Sequence, residues 1–301
     1  MPTPTTSTLP TKGSRQAPGL LAVFGSAFFF YLATLLIRIG RDYVVIESAY
    51  YAFARFLLGF IVVATTMLIR GQRPQPRNYH LLIGRALWNT IAVFCFYKAV
   101  ELGSLAEANI LNMTYPLFVA AFSWFFLREQ RDPLAVGIVA VAFAGVWLVL
   151  SPADIHGGLA NLWGICSGMT AAAAIIYLNI SRRHHDSQTI LFFMFGLGAL
   201  MILALFHDTI FVPNATELFF LFTCAAAGIL GQYLLTYGFL FVTAVEGSII
   251  SSTRILLAAV LGPLLVADPA LTLTGWCGAL LIFGANTTLA LRKARRNNQP
   301  K

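Results

Sequence analysis

Ten apolar runs, each long enough to cross a bilayer, take up nearly the whole chain and leave little sequence for anything else. They occupy 18–37, 47–69, 79–100, 104–127, 133–151, 158–180, 188–206, 217–239, 243–266 and 270–291. A spanning helix needs roughly 17–25 predominantly apolar residues. Hydrocarbon offers no water to satisfy a free backbone N–H or C=O, so only helices and closed barrels span it. The runs lack the two-residue alternation of barrel strands. The sequence therefore predicts an all-α integral membrane protein with ten transmembrane helices. The connections are too short to hold a soluble catalytic domain.

Basic residues give the orientation. With the N-terminus placed in the cytoplasm, fourteen Lys and Arg fall on the inner side and three on the outer, while Arg55, Arg85 and Arg254 lie within spans. Such an inside excess is the membrane pattern. It predicts a multi-pass protein of the inner (plasma) membrane with both termini cytoplasmic. A net charge of +8 would suit a nucleic-acid binder if the basic residues shared one polar face. Here they flank apolar runs, so the expected partners are the lipid bilayer and a small molecule, with no nucleic acid. Only 11% of the residues are charged, against about 25% in a soluble domain. Residues 1–17 read as a disordered cytoplasmic tail and 292–301 as a basic cytoplasmic tail. Lys12 and Arg15 precede the first run as in a signal peptide, but that run is too long for one and reads as an uncleaved span. Cys95, Cys166, Cys224 and Cys277 all lie in apolar runs without C-x-x-C spacing, which reads as packing rather than disulfide or metal chemistry.

A shift of 139 residues aligns the two halves. Glu107 falls on Glu246, Glu129 on Asp268 and Gly25 on Gly164. The halves, 18–151 and 157–291, each hold five predicted spans. Five is odd, so the second copy enters the membrane from the opposite side. Inverted repeats of this kind place a substrate site near mid-membrane between the halves.

The stretch Tyr97 to Leu150 reads YKAVELGSLAEANILNMTYPLFVAAFSWFFLREQRDPLAVGIVAVAFAGVWLVL. Its aromatic-x-Ala opening, the Ser-rich or Ala-rich start of span four, Pro116, the Leu-x-Glu at 127–129 and Gly145 resemble the repeat of the drug/metabolite transporter superfamily, EamA-like branch. Tyr237 to Leu291 resembles it more loosely, with Ile255 in place of the proline and Asp268 in place of the glutamate. The resemblance implies a secondary-active or facilitative carrier of a small metabolite (an amino acid, vitamin, nucleoside or other organic anion or zwitterion) working by alternating access. No cofactor is implied, and a coupling ion such as a proton is left unassigned. A channel and an intramembrane enzyme are the competing readings. H-E-x-x-H, G-x-S-x-G and a P-loop are all missing from the sequence, which disfavours hydrolysis and direct use of ATP.

Ionisable and polar residues within the spans nominate a site, because burying them in lipid is costly. Arg254 stands about eleven residues into span nine, near its centre. Its repeat-mate Tyr115 ends a stripe Asn109, Asn112, Tyr115, which matches Ser248, Ser251, Arg254. Two readings stand for these stripes: facing walls of one site, or interhelical hydrogen bonds. Arg55 is open between a helix-to-helix partner and a cavity residue, with Glu47 or Glu101 as its candidate counter-charge. Arg85, about six residues into span three, is expected to snorkel to the inner interface. Glu107 and Glu246 sit three residues after Ser104 and Thr243, the capping-box spacing. Pro116 cannot donate to the Asn112 carbonyl, so a kink is expected there. Trp88 with Asn89, Gln232 and Tyr233 with Thr236, and Trp163 with Ser167 could line a cavity or simply pack. Gly164 and Gly168 permit a close helix contact. His184 and His185 read as a solvated loop.

Overall fold

The computed structural model describes residues 16–126, 133–150, 158–238, 241, 244–266 and 269–297. Among these residues there are no strands. The helices are α1 (Gln16–Gly40), α2 (Ser48–Ile69), α3 (Tyr79–Leu102), α4 (Leu105–Asn112), α5 (Tyr115–Phe126), α6 (Pro133–Leu150), α7 (Gly158–Ser181), α8 (Ser187–Phe206), α9 (Ala215–Gly238), α10 (Ala244–Val266) and α11 (Leu273–Asn297). Six of them, α1, α2, α3, α7, α8 and α9, are long and apolar enough to cross a membrane, and shorter apolar stretches lie at 137–149, 250–266 and 273–289. Large apolar side chains such as Leu21, Ile61, Trp147 and Leu200 stand exposed on the outside, where lipid would cover them. The helix of α11 continues through 292–297, part of the stretch expected to be a tail. The aligned acids Glu129 and Asp268 lie outside the described residues.

The fourth run is two helices rather than one. Pro116 has no N–H and crowds the residue before it, so the backbone leaves the helical path at Met113 and Thr114. The Thr114 hydroxyl donates to the Leu111 carbonyl at 2.5 Å. The Thr114 carbonyl then accepts from Leu117 and Phe118, which starts α5. The Met113 carbonyl receives Asn286 Nδ2 from α11 at 2.9 Å, and the same amide reaches the Ser252 hydroxyl on α10 at 3.3 Å. In lipid such a partner is required, because an unmet carbonyl costs several kcal/mol.

Three carboxylates, Glu101, Asp186 and Glu217, are taken up at helix ends. Ser104 accepts the Glu107 N–H at 3.1 Å and caps α4, which is the serine half of the capping box that the spacing predicted. The Glu246 side chain lies outside the described residues. Asp186 caps α8 through the N–H and hydroxyl of Thr189. Glu101 accepts the Ser48 N–H at 2.7 Å, capping α2 from another helix, and pairs with Lys98 at 2.6 Å. Asn214 and Glu217 form a reciprocal cap at the start of α9. Helix α2 ends on Gly71, whose φ of 62° suits the left-handed turn that closes a helix.

The principal contacts pair α1 with α9, α3 with α7, α2 with α8 and α6 with α11, while α10 touches α1, α4 and α11. Gly164 and Gly168 take the broken span against α7. A Cβ on Gly168 would stand 2.5 Å from the Thr114 hydroxyl and 2.8 Å from the Leu111 carbonyl oxygen. Near the same level the sulfurs of Cys95 and Cys166 lie 3.6 Å apart, across the contact of α3 with α7.

Candidate functional site

A cavity of about 280 Å³ runs between α1, α2, α3, α7, α9 and α10 and reaches the break in the fourth span. Two helical faces form its long walls. Helix α3 contributes Arg85, Asn89, Ala92, Val93 and Phe96, and α7 contributes Ala171, Ala174, Ile175, Leu178 and Asn179, with Arg182 just beyond its end. These spacings of three and four residues are those of one side of a helix. Asn179 and Arg182 are exposed, so this end is the mouth. At the other end Ser26, Asn112 and Arg254 are buried.

Four arginines line the cavity, Arg55, Arg85, Arg182 and Arg254, and among the described residues no acidic one is in its lining. Arg254 is 5% exposed, Arg85 4% and Arg55 7%. Arg254 donates through Nη2 to Asn112 Oδ1. Asn112 in turn donates through Nδ2 to the Ser167 hydroxyl at 3.0 Å. The Arg254 guanidinium stands over the rings of Phe96, at 5.1 Å, and Phe30, at 5.9 Å. Arg55 shares the Phe30 ring at 5.4 Å and donates to the Tyr97 hydroxyl at 3.1 Å. The Nε atoms of Arg55, Arg85 and Arg254 are buried without a hydrogen-bond partner. A cation–π contact returns about 0.5–2 kcal/mol. Burying an ion costs several kcal/mol even after relaxation. Rings, one amide and one phenol are thus the partners these buried guanidinium groups have, and none of them carries a negative charge.

Of the residues nominated from sequence, Arg254, Tyr115, Asn112, Ser251, Gln232 and Arg55 do line this cavity. Asn109 does not. It is fully buried, and its Nδ2 donates to the Leu105 carbonyl at 2.8 Å and to Thr34 on α1 at 3.3 Å, which ties two helices. Trp163 stacks edge-on against Phe94, and Tyr233 packs on the main core. Trp88 is half-buried and outside the lining, while its neighbour Asn89 is in it. The Ser248 side chain lies outside the described residues.

Three expectations are corrected. Arg85 does not snorkel; it is buried and faces the cavity. Arg55 takes neither proposed counter-charge: Glu101 is committed to Ser48 and Lys98, and Glu47 is exposed at the start of α2. His185 is not solvated. It is 7% exposed, and its Nε2 accepts the N–H groups of Arg77 and Asn78 at 3.0 and 3.2 Å, joining the α2–α3 and α7–α8 connections. Sequence reasoning passed over Arg182 as a cavity residue, although it continues the three-to-four spacing from Ala171. Among the described residues no cluster of His, Cys, Asp or Glu could hold a metal.

Comparison with known proteins gives a consistent result. Residues 17–151 and 158–290 each match the EamA-like transporter family. An uncharacterized transporter of Helicobacter pylori is 26% identical over 271 residues, covering 87% of this chain and 91% of that protein. The pseudopaline exporter CntI of Pseudomonas aeruginosa is 24% identical over 222 residues, covering 73% of this chain and 77% of its own. Human solute carrier family 35 member G1 is 22% identical over 307 residues, covering 94% and 82%. One crystal structure shares the fold with a TM-score of 0.58 at 19% identity, covering 94% of this chain and 99% of that one.

Proposed function

The chain belongs to the EamA-like transporter family, and from that premise we propose that it carries a small organic anion across the inner membrane by alternating access. It is a membrane transporter rather than an enzyme. The observation that carries the anion reading is the cavity itself, lined by four arginines and, among the described residues, by no acidic one. In this reading Arg254 holds an anionic group of the substrate by a planar pair of hydrogen bonds, a geometry that Lys cannot reproduce. Asn112, Ser251, Gln232 and Tyr115 give it neutral polar neighbours, and Arg55, which shares the Phe30 ring with Arg254, adds charge.

We read the architecture as ten spans in two inverted five-helix repeats. Exchanging the halves turns the α1–α9 contact into α7–α3 and returns α2–α8 and α6–α11 onto themselves, which supports that reading. The charge bias puts the α7–α8 connection in the cytoplasm, so the mouth beside Arg182 opens inward. One relative is a pseudopaline exporter, and release of a cytosolic anion outward suits an inward-facing mouth.

Purified protein in liposomes, preloaded with single metabolites, tests this by counterflow. Carboxylates or phosphate esters should exchange, and neutral or cationic metabolites should not. Arg254→Lys should reduce transport at least tenfold with normal insertion, Arg254→Ala more, and Tyr115→Phe less. Wild-type affinity in detergent-purified Arg254→Lys would end the proposal.

A further inference from the structure

We propose that Arg85 and Arg182 form a second anion subsite near the mouth, so that the substrate is an elongated organic anion charged at both ends. This rests on the anion-carrier reading above and adds the number and spacing of the charges.

The two arginine groups lie at different levels. Arg254 stands over Phe96, and Arg55 is bonded to Tyr97. Arg85 precedes Phe96 by eleven residues on the same face of α3, which is roughly 16 Å along the axis. Arg182 follows Ser167, the anchor of Asn112, by fifteen residues, roughly 22 Å along the same chain. Between the levels the walls are neutral, with Asn89, Ala92, Val93 and Ala174. Arg85 is buried inside the cavity with an unpartnered Nε, and among the described residues no carboxylate lies within ion-pair reach of it. Arg182 lines the same cavity, and its neighbour Ser181 donates to the carbonyl of Leu81, one turn before Arg85, at 3.4 Å, which brings the two arginines to one level. Two neighbouring cations, one of them 4% exposed, repel each other until an anion sits between them. One anionic group at Arg254 leaves that lower pair unmet. A substrate carrying a second carboxylate or phosphate on a neutral body meets both.

The test uses the full-length protein purified in detergent. α,ω-Dicarboxylates from succinate to suberate, and ω-phosphonocarboxylates of matching length, are titrated by calorimetry beside monocarboxylates of the same length. One length of dianion should bind at least tenfold more tightly than its monoanion. Arg85→Gln and Arg182→Gln should each lower dianion affinity at least tenfold and monoanion affinity less than threefold. Arg182 is exposed, so its variant keeps the question decidable if Arg85→Gln does not fold. Equal losses for both ligand classes would mean that the pair only draws anions toward the mouth, and would overturn the subsite. So would the absence of a dianion preference at every length. The parent reading fails separately: then neither class binds, or Arg254→Lys binds both as wild type does.

Discussion

Three carboxylates of this chain, Glu101, Asp186 and Glu217, are spent at helix ends rather than on the cavity arginines. Asp186 is the clearest case. Partial burial pushes its carboxyl up, but hydrogen bonds from the hydroxyl and N–H of Thr189 and from the Gln188 N–H outweigh it, and the group sits below its ordinary value. A lowered folded value means that its stabilisation is complete above the ordinary carboxylate pKa and is lost as pH falls through the folded one. Asp186→Ala should therefore cost about 1 kcal/mol near neutral pH. In thermal unfolding of detergent-purified protein that gap should close below about pH 4; a gap that persists in acid would assign Asp186 a role other than its charge. Among the basic residues, Arg254 was legible because no interface is within its reach. Arg85 was not, because six residues of depth permits snorkelling, and only the packed α3–α7 face shows that the side chain turns inward. Asn109 misled for the opposite reason: it shares the periodicity of Asn112, yet Thr34 of α1 stands in its way.

At the scale of elements, hydropathy located the helices because lipid enforces regular backbone hydrogen bonding. It could not divide the fourth run, since Met113 and Thr114 are as acceptable in a helix as their neighbours. Pro116 marked the fault, and Asn286, far away in sequence, makes it affordable. Asn286→Ala should leave the Met113 carbonyl unpaired and cost about 1–3 kcal/mol. Asn286→Gln, one methylene longer, should recover part of that loss. Detergent melting curves check both, and an unchanged midpoint in the alanine variant would show that the carbonyl has another donor. The loop latch at His185 was likewise invisible, because its partners are backbone groups about a hundred residues away.

For the whole molecule, the inverted reading requires that reporter fusions near residue 154 and near His184 report opposite sides of the membrane. Signals from the same side would remove both the topology and the repeat. The composition established early that the chain belongs in lipid, but the sequence did not reveal that one cavity collects four guanidinium groups, because they come from four separated segments. One contact in that cavity has a kinetic consequence. The Arg254 hydrogen bond to Asn112 joins α10 to the broken span. In the proposed carrier an arriving anion would compete with Asn112 for the same nitrogen, so the empty form would be held by a bond that the loaded form gives up. A ligand shifts a conformational equilibrium only through such differences between states. Loaded protein should reorient faster than empty protein, so substrate on the far side of the membrane should accelerate release from the near side. Asn112→Ala should weaken this trans-stimulation by freeing the unloaded form. If the ratio of exchange to net efflux stays at the wild-type value in that variant, the Asn112 tether is not what holds the empty carrier still.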